Sequence, residues 1–91
     1  MEITNQEMEL RQRKILNRLK RARGQLNAVI QEVEDGGSCR DVVTQLSAVT
    51  AALDKAGFAI ISNAMRNCLT GEGEEAQMTP DEIEKLFLTL S

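Results

Sequence analysis

Apolar side chains recur every three or four residues along two long stretches of this chain, and nowhere do they alternate one in two. In the first stretch Ile15, Leu19, Ala22, Leu26, Val29 and Val33 fall at steps of four and three, the seam of a packed helix. In the second, Val42, Leu46, Val49, Leu53, Ala56 and Ile60 continue a heptad-like stripe that begins at Cys39. No segment has the β-branched density of a strand pair, so the fold is expected to be all-α.

Local signals punctuate these stretches. Thr4 followed by Glu7 matches a capping box and opens helix one, and Asp35-Gly36-Gly37 stops it. Ser38 can cap a second helix, with Asp41 three residues on, that reaches about residue 69 before Gly71-Glu72-Gly73 and an acidic loop. Thr79-Pro80-Asp81-Glu82 supplies a cap, a proline at the first helical position and a glutamate three residues after the cap. Ile83, Leu86, Phe87 and Leu90 then share one face of a short third helix. Gly57 offers a different reading, a hairpin broken inside helix two, although one glycine costs a helix only about 1 kcal/mol.

Residues 1–91 read as one domain with no internal repeat. Three helices of this size leave much apolar surface uncovered, so oligomerisation is expected. The absence of Trp and Tyr, with only two Phe, argues against single-strand binding by base stacking. No apolar run is long enough for a membrane span, and MEITNQEMEL lacks the charged and apolar regions of a signal peptide. A cytoplasmic location without membrane association follows as the expectation, and there two cysteines are more often free thiols, ligands or redox groups than a permanent crosslink.

The thiols are the chemically informative residues. On a continuous helix two, the 29 residues from Cys39 to Cys68 span about 43 Å, too far for a shared ligand or disulfide within one chain. The same interval is eight turns plus about 20°, which puts both sulfurs on one face, that of the apolar stripe. A second copy laid antiparallel, with its two-fold axis near Leu53 and Asp54, brings Cys39 of one chain beside Cys68 of the other, twice per dimer. Cys39 lies in the first turn, where unpaired N–H groups favour a charged sulfur, and reads as the nucleophile. Cys68, in the last turn, reads as the resolving thiol. The plainer use of either is as a small buried hydrophobe. A metal offers another use, since cuprous ion accepts thiolates, but with no histidine in the chain the usual zinc or nickel sets of Cys and His cannot form.

The net charge of −3 hides an uneven distribution. Residues 10 to 31 hold Arg11, Arg13, Lys14, Arg18, Lys20, Arg21 and Arg23 and no acid. Arg11, Lys14, Arg18, Arg21 and Arg23 are the candidate phosphate contacts, because three- and four-residue steps can form a basic ridge beside the seam, which an oligomer would multiply into a strongly salt-dependent hold on duplex DNA. No standard reading unit such as a helix-turn-helix is visible, so specificity would rest partly on DNA shape. A solvated helix face, or a helical adaptor whose arm meets an acidic protein, is the competing reading. Nothing resembles a phosphate-binding glycine loop or an acid–base constellation, so an enzyme is not expected and no cofactor is implied.

The segments Ile15-Leu16-Asn17-Arg18-Leu19-Lys20-Arg21-Ala22-Arg23-Gly24-Gln25-Leu26 and Cys39-Arg40-Asp41-Val42-Val43-Thr44-Gln45-Leu46-Ser47-Ala48-Val49 resemble the CsoR/RcnR family of bacterial repressors, over roughly residues 10 to 90. The resemblance implies a three-helix protomer, an antiparallel four-helix-bundle dimer, pairing of dimers into a flat tetramer, and operator DNA released when a ligand binds between protomers. It places Cys39 and Cys68 on the family's inter-subunit sensing cysteines and Arg18 on a DNA-binding arginine of helix one.

The departures from the family pattern matter as much. Copper-sensing members carry H-x-x-x-C where this chain reads Ala64-Met65-Arg66-Asn67-Cys68, and a tyrosine where Ser38 stands. Nickel and cobalt members need histidines, and formaldehyde-sensing members a proline near the N-terminus, whereas residue 2 is Glu and the only proline is Pro80. A cysteine pair without histidine resembles instead the persulfide-sensing, CstR-like branch, in which persulfide or polysulfide donors link the thiols of two subunits by two or more sulfurs. A cuprous-ion repressor using the two thiolates of Cys39 and Cys68 stays open beside it.

Overall fold

A computed structural model describes residues 5–71 and 78–91. Three helices account for nearly all of them: α1 (Asn5–Glu34), α2 (Cys39–Thr70) and α3 (Pro80–Leu90). Thr4 of the Thr4–Glu7 box and the acidic loop at 72–77 lie outside the described residues. Where the other end signals can be followed, each works through its own hydrogen bonds. Gly36 adopts φ 73° and terminates α1, with its N–H donating to the Val33 carbonyl and the Gly37 N–H to the Glu32 carbonyl, the two bonds of a Schellman motif. The Ser38 hydroxyl then accepts from the Asp41 N–H at 3.1 Å and starts α2. Gly71, at φ 76°, ends it, and Thr79 caps α3 with Pro80 in its first turn.

α2 runs through Gly57 without a break, so the hairpin reading is set aside in favour of the continuous helix. Gly57 serves packing instead: α3 folds back along the C-terminal half of α2, and a Cβ built on Gly57 would stand 2.9 Å from Leu90 Cδ1. Phe87 meets Phe58 with ring centroids 5.5 Å apart. Ile83, 1% exposed, is the side chain that anchors α3.

The apolar stripe of each long helix divides into two seams spaced by seven residues. Ala22 and Val29 of α1 and Val49 and Ala56 of α2 are buried where the two helices meet. The interleaved set, Leu19, Leu26 and Val33 on α1 with Leu46, Leu53 and Ile60 on α2, stays between 37% and 59% exposed. Alanines at the contact allow α1 and α2 to approach closely, which leaves the larger residues for the outer seam. The protomer measures 52 × 28 × 15 Å, barely more than one helix diameter thick. A stable helical domain needs a second layer over its apolar face, and this one leaves much of that face open beyond the part that α3 covers.

Candidate functional site

Cys39 and Cys68 occupy the first turn and the last turn of α2, and both are free thiols. Because the helix is unbroken, they cannot meet within one chain. Cys39 is exposed, in line with Leu46, Leu53 and Ile60 at seven-residue steps. Cys68 is half-buried, and its Sγ donates to the Met78 carbonyl oxygen at 2.9 Å. The two sulfurs thus share a face but not an environment: α3 covers that face from the level of Gly57 to that of Cys68 and leaves the half around Cys39 open. Among the described residues no group of three or more His, Cys, Asp or Glu could hold a metal ion.

The cations gather on the other side of α2. Four of the five basic residues singled out from the sequence, Arg11, Lys14, Arg18 and Arg21, line two adjoining hollows in the groove between α1 and α2. Arg11 is half-buried, with Nη1 shielded and without an acceptor. Arg18 borders both hollows. Arg23, five residues beyond it and about 140° further round α1, is exposed outside both.

Two cations of α2 join this furrow that the reading of helix one alone did not include: Arg66 in the first hollow and Lys55 in the second. Their signal was present, since Lys55, Ala59, Ser62 and Arg66 recur at steps of four, three and four. The longer apolar stripe on the opposite face outweighs it in the sequence pattern. Gln25, from the R-x-x-G-Q segment, sits at the edge of the second hollow, and its Oε1, like that of Gln45, is buried without a donor.

A one-layer helical hairpin, with a thiol at each end of one face of α2 and a cationic furrow behind it, has the parts of a small ligand-responsive regulator. The chain belongs to the metal-sensitive transcriptional repressor family, whose model matches residues 11–90.

Among curated relatives it is 39% identical over 75 residues to the copper-sensing transcriptional repressor CsoR of Mycobacterium ulcerans, covering 77% of this chain and 64% of that one. It is 34% identical over 77 residues to the protein of the same description from Mycobacterium tuberculosis, covering 79% and 65%. The protein so described from Bacillus subtilis is 34% identical over 67 residues, covering 68% of this chain and 66% of that one. The match spans a little under two thirds of the length of the mycobacterial relatives. No solved structure matches. None of the helices, over the described residues, is long and apolar enough to cross a membrane.

Proposed function

We propose that this chain is a DNA-binding repressor that senses reactive sulfur through Cys39 of one protomer and Cys68 of another. The observation that carries the reading is the pair of thiols at opposite ends of one unbroken helix, on one face, in a chain without histidine. Two copies with antiparallel α2 helices cover the open seam of Leu46, Leu53 and Ile60 and bring each Cys39 to a partner's Cys68. Pairing of such dimers into a tetramer belongs to the same proposal. The furrow of Arg11, Lys14, Arg18 and Arg21, widened by Lys55 and Arg66, takes the phosphates of duplex operator DNA.

The chemistry balances without an outside oxidant. The Cys39 thiolate attacks the outer sulfur of a persulfide RSSH, the S–S bond breaks, and RS⁻ leaves with the electron pair and takes up a proton. The partner's Cys68 thiolate then attacks Cys39 Sγ and expels HS⁻. Two thiols and one persulfide become one disulfide, one thiol RSH and hydrogen sulfide; the persulfide is reduced as the thiols are oxidised. Longer donors leave extra sulfur in the bridge. The crosslink fixes the two α2 helices, and with them the cations on their far faces, in a geometry that releases DNA.

A second reading is favoured by the relatives described as copper-sensing: the same two sulfurs would hold cuprous ion, a donor set that suits a soft ion and needs no histidine. Intact mass under non-reducing, denaturing conditions separates the two. After a polysulfide, a covalent dimer that is lost in Cys39→Ser and in Cys68→Ser supports sulfur sensing. Unmodified monomer, with tight cuprous binding in a parallel native sample that a chelator reverses, transfers the assignment to copper.

A further inference from the structure

We propose that the Cys68 thiol is a latch on α3, so that docking of α3 and chemistry at Cys68 exclude one another. The inference rests on the preceding reading only in taking Cys68 as a thiol that reacts. Its basis is the bond from Cys68 Sγ to the Met78 carbonyl, 2.9 Å long, across ten residues of chain. Met78 immediately precedes Thr79, whose hydroxyl accepts from the Glu82 N–H at 3.2 Å and opens α3. The thiol therefore grips the residue from which the third helix starts.

α3 has little else to hold it. Its 11 residues are too few for a helix to persist alone in water. Ile83 is its one buried residue, Phe87 and Leu90 touch α2 while remaining 41% and 44% exposed, and Leu88 is 60% exposed. An element attached at so few points responds to the loss of one.

A thiol donates to a carbonyl only through its proton. As a thiolate, a disulfide or a metal ligand, Cys68 presents only lone pairs to the Met78 oxygen. The two then repel at this distance, and the half-buried carbonyl is left without a donor. Reaction at Cys68 therefore pushes the start of α3 away. Linkage makes the effect reciprocal: what loosens α3 exposes Cys68 and favours its modification. Cys39, at the other end of α2, lies beyond the reach of α3 and is outside this coupling. The two thiols thus divide the work, one open to the donor and the other wired to a movable helix.

The test uses the full-length, reduced protein and hydrogen exchange of the amides of residues 80–90. In a Cys39→Ser background, methyl methanethiosulfonate converts Cys68 to its methyl disulfide: the thiolate forms an S–S bond to the methylthio group and methanesulfinate leaves. Exchange in α3 is expected to rise roughly fivefold, the population change that follows loss of one net hydrogen bond. Cys68→Ala should match it, and Cys68→Ser, which keeps an O–H donor, should stay near the parent. Phe87→Ala in the same background should accelerate alkylation of Cys68 several-fold. Unchanged α3 exchange after modification, or a Ser variant as fast as the Ala variant, overturns the latch. No arm involves DNA or polysulfide, so failure of the sulfur-sensing reading leaves this result standing, and the reverse.

Discussion

Arg18→Ala removes the one cation that borders both hollows of the furrow. The side chain is exposed and alanine is the better helix former, so folding should not suffer. The cost falls on DNA. Each phosphate contact contributes about 0.9 to the slope of log K against log salt; a two-fold dimer loses two, lowering the slope by about 1.8 and the affinity by roughly 60-fold at 0.1 M salt. Arg23→Ala removes the same charge from the other side of α1 and serves as the internal control, with a slope close to the parent's. Fluorescence anisotropy of a labelled operator duplex, titrated at several salt concentrations, reads both quantities. An unchanged slope for Arg18→Ala together with a reduced one for Arg23→Ala would refute the assignment and put the DNA on the opposite face of α1.

Three further outcomes follow from the geometry. Cys39→Ser should abolish the polysulfide-induced covalent dimer while leaving operator affinity within a factor of about two in the salt titration, since the residue stands on the far side of α2 from the cations. Ser38→Ala removes the acceptor for the Asp41 N–H and should lower unfolding stability by about 1 kcal/mol in a urea titration. Gly57→Ala places a methyl group against Leu90, a side chain 44% exposed and free to turn away. The gain of about 1 kcal/mol in helix propensity should prevail, raising the melting temperature while amides at the end of α3 exchange faster. A fall in melting temperature would mean that Leu90 cannot yield.

Features governed by near neighbours in sequence were the legible ones. Ser38, Thr79 and Gly36 act on groups within four residues, so the ends of the helices could be placed from the residue types alone. The unbroken course of α2 followed from the weakness of a lone glycine as a helix breaker. What local sequence does not contain is the register of the α1–α2 hairpin. The stripe from Val42 to Ile60 reads as one apolar face, and only the position of α1 decides that Val49 and Ala56 are covered while Leu46, Leu53 and Ile60 are not. The same register carries Lys55 and Arg66 to the cations of α1. The Cys68–Met78 bond depends on a chain reversal between α2 and α3 that no cap or periodicity specifies.

The Phe58–Phe87 contact has an optical consequence. These two rings are the whole aromatic complement of a chain without Trp or Tyr, and they lie against each other across the junction of α2 and α3. Near-ultraviolet dichroism of the reduced protein therefore reports on one place, the seating of α3, through phenylalanine fine structure. Beyond the phenylalanine bands the reduced polypeptide is dark, so the long-wavelength tail of a sulfur–sulfur chromophore would stand clear of them. One unlabelled sample can thus reveal in a single spectrum what has happened at the sulfur and whether the third helix has moved.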